Sequence, residues 1–308
     1  MAFDDPRLRE LDPRPSPLPG SLVRAREGLA RSAALFLSIP ESALGREWRW
    51  IGEGEGDVRT GFYVAIQAFE GAAGQIRRSL GSRASADGPG AGAVSPATEA
   101  RWDLHGLLAP LADEILDADP GRGEWTVRLT LAHILASQRA YAVFNAWWMS
   151  RRDEADFPPS IPEALAEKME AKLPSKGEVA AGSLARARSR LDGLVDLSSE
   201  LWRQASEDEL RVPARWMGFP VTTGFRVGRW STHIQEHTIQ VEKTLALLGR
   251  EPNEIGRMVR LIYRAFGRME GAMWADGAIE GGEEAAIDAA VTEVEGIASG
   301  IAQAARAG

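Results

Sequence analysis

Two histidines stand four residues apart in the stretch RWSTHIQEHTIQ, residues 229–240: His233 and His237. Such a pair falls on one face of a helix, about one turn apart. Trp230, Ile234, Val241, Leu245 and Leu248 lie close to the same line, so both imidazoles are predicted to point into a core. Burying two neutral imidazoles without partners costs free energy. A divalent ion gives both a partner, at about 2.0–2.1 Å each. His133, in WTVRLTLAHILASQRAYA, sits mid-helix among Leu129, Ala136, Ala140 and Phe144. A lone histidine on such a face is also what a core-packing residue looks like. Facing helices of a bundle, however, are where such sites are built. The fourth histidine, His105, lies off the Leu104, Leu108, Leu111 line and reads as a surface residue.

Two more side chains in the stretch could act on such a centre. Glu236 is a candidate general base, although its place three residues after His233 rotates it off the histidine face. Gln240 could orient His237 through the ring's second nitrogen. There is no cysteine. Disulfides, thiolate ligands and a cysteine nucleophile are therefore excluded, and any thiol chemistry must use a thiol carried by a small molecule.

Periodicity is helical nearly throughout, and no stretch alternates convincingly as a strand. Helices are predicted over about 21–38, 57–80, 98–117, 126–152, 179–206, 225–248, 254–273 and 283–305. Thr126 suits an N-cap and Gly249 a C-cap. Pro110 is expected to kink the third helix. The stretch 153–178 is bounded by prolines and has room for one short helix. REWRWIGEGEGD and RVPARWMGFPVTTG read as loops, and residues 1–18 as an extended arm. Residues 81–97, GSRASADGPGAGAVSPA, have the composition of a flexible linker. The expected organisation is an arm and helical hairpin over 1–80, the linker over 81–97, a bundle over 98–250 and a second hairpin over 251–308. YVAIQAFEGA (63–72) echoes YRAFGRMEGA (263–272) and puts Glu70 and Glu270 in matching places, where solvation or ion pairing is the ordinary fate of a glutamate.

The net charge is -8, from 36 basic and 44 acidic residues. That excludes broad electrostatic binding of nucleic acid. No apolar run reaches the roughly 18 residues that span a membrane, and the first residues lack the apolar core of a secretory signal. A cytoplasmic protein with a small-molecule substrate is expected. The extra hairpins are compatible with a homodimer.

The pattern as a whole resembles the DinB-like superfamily, which includes YfiT-like metal-dependent hydrolases and thiol-dependent transferases. Trp125-Thr126 opens the second bundle helix, His133 lies inside it, and His233, Glu236, His237 and Gln240 form H-x-x-E-H-x-x-Q in the fourth. The resemblance covers about residues 97–250. It implies an all-α fold: an up-down-down-up four-helix bundle with a long crossover between its second and third helices, here flanked by the two hairpins. It also implies that His133, His233 and His237 ligate a divalent metal. Three nitrogens suit Zn, Ni or Fe and leave a coordination position open, the pattern of catalytic zinc sites. The related enzymes imply a low-molecular-weight thiol, mycothiol or bacillithiol, as cosubstrate. A non-catalytic metal- or ligand-binding bundle is the alternative. HIQEH also fits the inverzincin peptidase pattern, a minor hydrolase alternative that would need a downstream acidic ligand such as Glu293 or Glu295.

Overall fold

The computed structural model describes residues 3–50, 55–82, 89–154, 158–274 and 281–307. The described residues are dominated by helices, as the all-α reading expects. In chain order these are α1 (Gly20–Leu37), α2 (Val58–Ser82), α3 (Pro89–Leu108), α4 (Val127–Ser150), α5 (Glu163–Glu170), α6 (Lys176–Ala180), α7 (Leu184–Trp202), α8 (Glu207–Leu210), α9 (Thr223–Leu247), α10 (Glu254–Trp274) and α11 (Gly281–Arg306). None among the described residues is long and apolar enough to cross a membrane.

Two short antiparallel hairpins interrupt the helices where loops were expected. Strand β1 (Glu47–Arg49) pairs with β2 (Glu55–Asp57), and β3 (Pro213–Trp216) with β4 (Phe219–Thr222). The second turns through Met217 and Gly218, both at positive φ, 48° and 82°. That is the backbone of the tightest hairpin turns. Strands of three and four residues, the longer pair containing Pro213 and Pro220, are too short to show a period in the sequence.

The chain divides into two compact units. The first comprises Met1–Pro17, Ala86–Arg101 and Ala112–Arg250; the second comprises Leu18–Ser85, Trp102–Leu111 and Glu251–Gly308. In the first, α3 and α7 run antiparallel, with Gly90 against Trp202 and Arg101 against Asp196. Helices α4 and α9 also run antiparallel, with Asn145 beside Arg226 and Gln138 beside Trp230. Both pairings are those of an up-down-down-up bundle. The crossover between α4 and α7 carries α5 and α6, the latter opened by a capping box of Ser175 and Glu178.

Three expectations about boundaries change. Residues 89–97 are helical, not linker; residues 83–88 of that stretch lie outside the described residues. Ala91, Val94 and Ala97 form a small apolar stripe on α3, all buried. A Cβ at Gly90 would lie 2.2 Å from the Trp202 carbonyl oxygen. The small residues are there because backbones approach closely. Helix α3 then stops at Leu108 rather than near 117, because Pro110 disfavours helical backbone at the residue before it. Finally, the N-terminal arm packs within the bundle unit: Leu8 is buried, and Arg7 and Ser16 both bond Glu200. Arg139, fully buried, donates to the carbonyls of Glu10 and Leu11 at 2.9 and 2.7 Å. Its burial draws its pKa down to about 10.

In the second unit α2 packs against α10 and α11, and α1 against the same two helices. Phe36, Phe62, Phe69, Phe266 and Trp102 share its core. Glu270 is buried there and pairs with Arg26 at 2.6 Å; its counterpart Glu70 pairs with Arg268. Both glutamates of the internal echo are thus ion-paired. His105, expected on the surface, is 1% exposed and packs edge-on to Trp102, at 5.3 Å between ring centres. Its side of α3 is covered by Trp102 and its neighbours rather than by solvent, so distance from the leucine line misjudged it.

Candidate metal centre

Helices α4 and α9 are pinned together above and below His133. On one side Thr244 Oγ1 donates to the Trp125 carbonyl at 2.9 Å. On the other, Gln138 Nε2 donates to the Trp230 carbonyl at 3.0 Å, and Arg226 Nε to Asn145 Oδ1 at 2.6 Å. The start of α4 is set by Thr126, whose hydroxyl accepts from the Leu129 N–H at 3.2 Å. The end of α9 is set by Gly249, at φ 62°, with Arg250 N–H returning to the Leu245 carbonyl at 2.8 Å, a Schellman closure.

Between those pins the three histidines converge. His233 Nε2 lies 3.2 Å from His133 Nε2 and 3.1 Å from His237 Nε2. His233 is buried and the other two are half-buried. His237 Nδ1 lies 2.7 Å from Gln240 Oε1, which accepts its proton and leaves Nε2 with a lone pair. Hydrogen bonding among neutral imidazoles cannot satisfy this arrangement. A His233 Nε2–H can donate to one neighbour only, and without that hydrogen two lone pairs face each other across 3.1 Å. Protonating His233 is opposed by burial first, then by the adjoining His237 and His133, which together press its pKa down to about 3. Burial and His237 also lower that of His133. An ion accepts all three lone pairs. Two nitrogens at about 2.1 Å from one ion stand roughly 3.0 Å apart at a right angle and roughly 3.4 Å apart at the tetrahedral angle. Both measured separations fall between these limits. The donor set therefore fits a divalent metal. Among the described residues no carboxylate joins the group.

Trp125, immediately before the α4 cap, lies 5.3 Å from His133 and stacks 6.3 Å from His237, measured between ring centres. Tyr141 meets His233 edge-on at 5.4 Å. Trp125 and Leu129 are exposed, so solvent reaches the α4 entrance beside His133; Leu129 does not lie in the core as its spacing suggests.

Glu236 is not brought into the cluster. Its side chain is 55% exposed, and both oxygens accept from Arg229 at 2.8 and 3.0 Å. That hydrogen bond holds its carboxyl below the ordinary range and Arg229 above its own. Arg229 also bonds Thr232 and lies over the Trp216 ring at 5.0 Å. Sequence reasoning missed Arg229 and Tyr141. The seven-residue spacing of Arg229 and Glu236, two helical turns on one face, was the available signal for the first. Glu293 and Glu295, the downstream candidates of the peptidase pattern, are not in the cluster, and Glu295 pairs with Arg31.

Two results are expected here. Gln240→Ala frees His237 Nδ1 and should weaken metal binding about 10–100-fold in competition with a chelator, while Gln240→Glu keeps an acceptor and much of the affinity. Acid should destabilise the metal-free protein. His233 ordinarily titrates at 6.5 and in the fold at about 3, so the unfolded chain binds the extra proton. The stability from keeping the ring neutral is complete above about pH 6.5 and is lost as pH falls toward about 3. Urea midpoints measured with chelator at about pH 7 and about pH 5 should fall, and fall less in His233→Gln.

The DinB superfamily model matches residues 97–241, a stretch that holds His133, His233, His237 and Gln240. Comparison with curated proteins and with solved structures finds no match. Helical order, antiparallel pairings and histidine geometry agree with the family match, and residues 97–241 of this chain are similar to the DinB superfamily.

Proposed function

We propose that the bundle is a divalent-metal enzyme of the group-transfer class, taking a low-molecular-weight thiol of the mycothiol or bacillithiol kind as cosubstrate and a small electrophile as substrate. The observation that carries the reading is the convergence of three Nε2 atoms with no fourth histidine, cysteine or carboxylate in the group among the described residues. A purely structural site is normally closed by four protein ligands. The lack of cysteine in the chain supports an external thiol as nucleophile.

His133, His233 and His237 would hold the ion, and Zn, Ni and Fe all suit three nitrogens. A bound ion would supply Lewis acidity and lower the pKa of a thiol or water beside it. The chain's own residues do the rest. Burial keeps His233 neutral at physiological pH, so its lone pair stays available. Gln240 fixes the tautomer of His237. Trp125 and Tyr141 shield the imidazoles on two sides and leave the approach past Leu129. Glu236, tied to Arg229, holds that helix face in place rather than moving a proton at the centre.

The test is turnover. Protein loaded separately with Zn, Ni and Fe is incubated with mycothiol, bacillithiol or cysteine and a chlorodinitroarene, and thiol consumption is followed. Thiol loss should require metal and vanish in His237→Ala. A metal-replete protein that turns over none of these thiols would defeat the transferase reading and leave a non-catalytic metal- or ligand-binding bundle.

A further inference from the structure

The second unit carries a cleft of about 550 Å³ between α2 and α11. Its volume lies in the range of small-molecule sites, roughly 300–1,000 Å³. Alanines of both helices and Gly71 of α2 make up much of its lining, and its polar side chains are Thr60, Gln67, Gln75 and Glu293. Two aromatic side chains, Trp50 and Tyr63, stand at the edge, 38% and 51% exposed. Neither ring stacks on another ring or lies under a cation among the described residues.

Charge gives the cleft its character. Among the described residues no lysine, arginine or histidine lines it. The carboxylates of α11 near it are otherwise engaged: Glu283 accepts from Ser79, Asp288 pairs with Arg24 and Glu295 with Arg31. Glu293 alone of these four has no ion-pair or hydrogen-bond partner among the described residues, and it lines the cleft. The amides of Gln67 and Gln75 are likewise unengaged. A ligand here meets one carboxylate, amide oxygens and the negative faces of two rings, above a shallow apolar floor. Arg59, close enough to Tyr63 to act on it electrostatically, is paired with Glu254 and Asp57, so an anion would find no uncommitted cation among the described lining residues. A neutral apolar molecule would leave the carboxylate unused.

From this juxtaposition we infer that the α2–α11 cleft binds a small organic cation, a protonated amine or quaternary ammonium with an apolar body, whose charge sits between Glu293 and the rings of Trp50 and Tyr63. The site is separate in its residues from the histidine centre and stands or falls without it.

Calorimetric titration of the full-length protein with benzylamine, against benzyl alcohol as its uncharged counterpart, tests the assignment. Benzylamine should bind at one site per chain and benzyl alcohol at least about tenfold more weakly. Glu293→Gln should weaken benzylamine about tenfold or more, and Tyr63→Ala about 3–30-fold. Both positions are on the surface, and urea unfolding of each variant checks that the fold is kept. Glu284→Gln, a half-buried carboxylate on the same helix that does not line the cleft, should change nothing. Equal binding of the alcohol, unchanged binding in Glu293→Gln, or no binding of benzylamine at millimolar concentration would each overturn the inference.

Discussion

Replacing His133 by alanine is expected to take bound metal from about one ion per chain to none. The two histidines on α9 cannot hold the ion alone, because His133 is the one donor that reaches across from α4. The loss should exceed the roughly 10–100-fold that outer contacts contribute. The fold should survive it. His133 is half-buried, and its removal leaves no unpaired charge behind. It also relieves the crowding of three nitrogens around His233 in the metal-free protein. Elemental analysis of untagged protein, beside circular dichroism of the variant, separates the two effects. Full metal content in a folded His133→Ala protein would refute the three-nitrogen centre.

The second large effect concerns stability. Asp196→Ala is expected to destabilise the bundle unit by about 3–5 kcal/mol. Arg101 is fully buried on α3, and its Nη1 bonds Asp196 Oδ1 at 2.6 Å. Asp192 is a further carboxylate neighbour, at 3.5 Å and partly exposed. Removing Asp196 takes its shortest carboxylate contact from a guanidinium that cannot reach water and leaves the longer contacts to Asp192, and that desolvation penalty, rather than the attraction lost, dominates. The double variant Arg101→Met/Asp196→Leu should therefore be far closer to wild type, since it removes both desolvation costs at once. Urea unfolding of the singles and the double reads this directly. A double variant as unstable as Asp196→Ala would show that the pair is worth its burial.

What the sequence reveals follows from the range of the interactions. His233, His237 and Gln240 lie within two turns of one helix, so their shared face is legible from spacing alone. The Thr126 and Gly249 caps are equally local. His133 needed the family pattern, because nothing in its own helix says that α9 lies opposite. The stretch after residue 88 misled for a related reason. Glycine and alanine look like a linker until a neighbouring backbone is placed 2.2 Å from where a Cβ would be, as Trp202 is at Gly90. His105 failed the same way, its environment being supplied by residues far along the chain such as Tyr263 and Phe266 beside Trp102. The hairpins were missed because three- and four-residue strands carry too few positions to show alternation.

Arg139 sets a limit on how far this protein can be trimmed. Its charge is held by two carbonyl oxygens at Glu10 and Leu11, nearly ninety residues ahead of the family match, which starts at 97. A fragment cut to 97–241 would keep His133, His233 and His237 yet deprive a buried guanidinium of the two carbonyls that accept from it, and would also drop Thr244, which fastens α9 to Trp125. The stretch that evolution's pattern recognises and the stretch that can stand alone in water are thus different lengths of chain. Anyone isolating the three-histidine bundle should begin from the N-terminal arm.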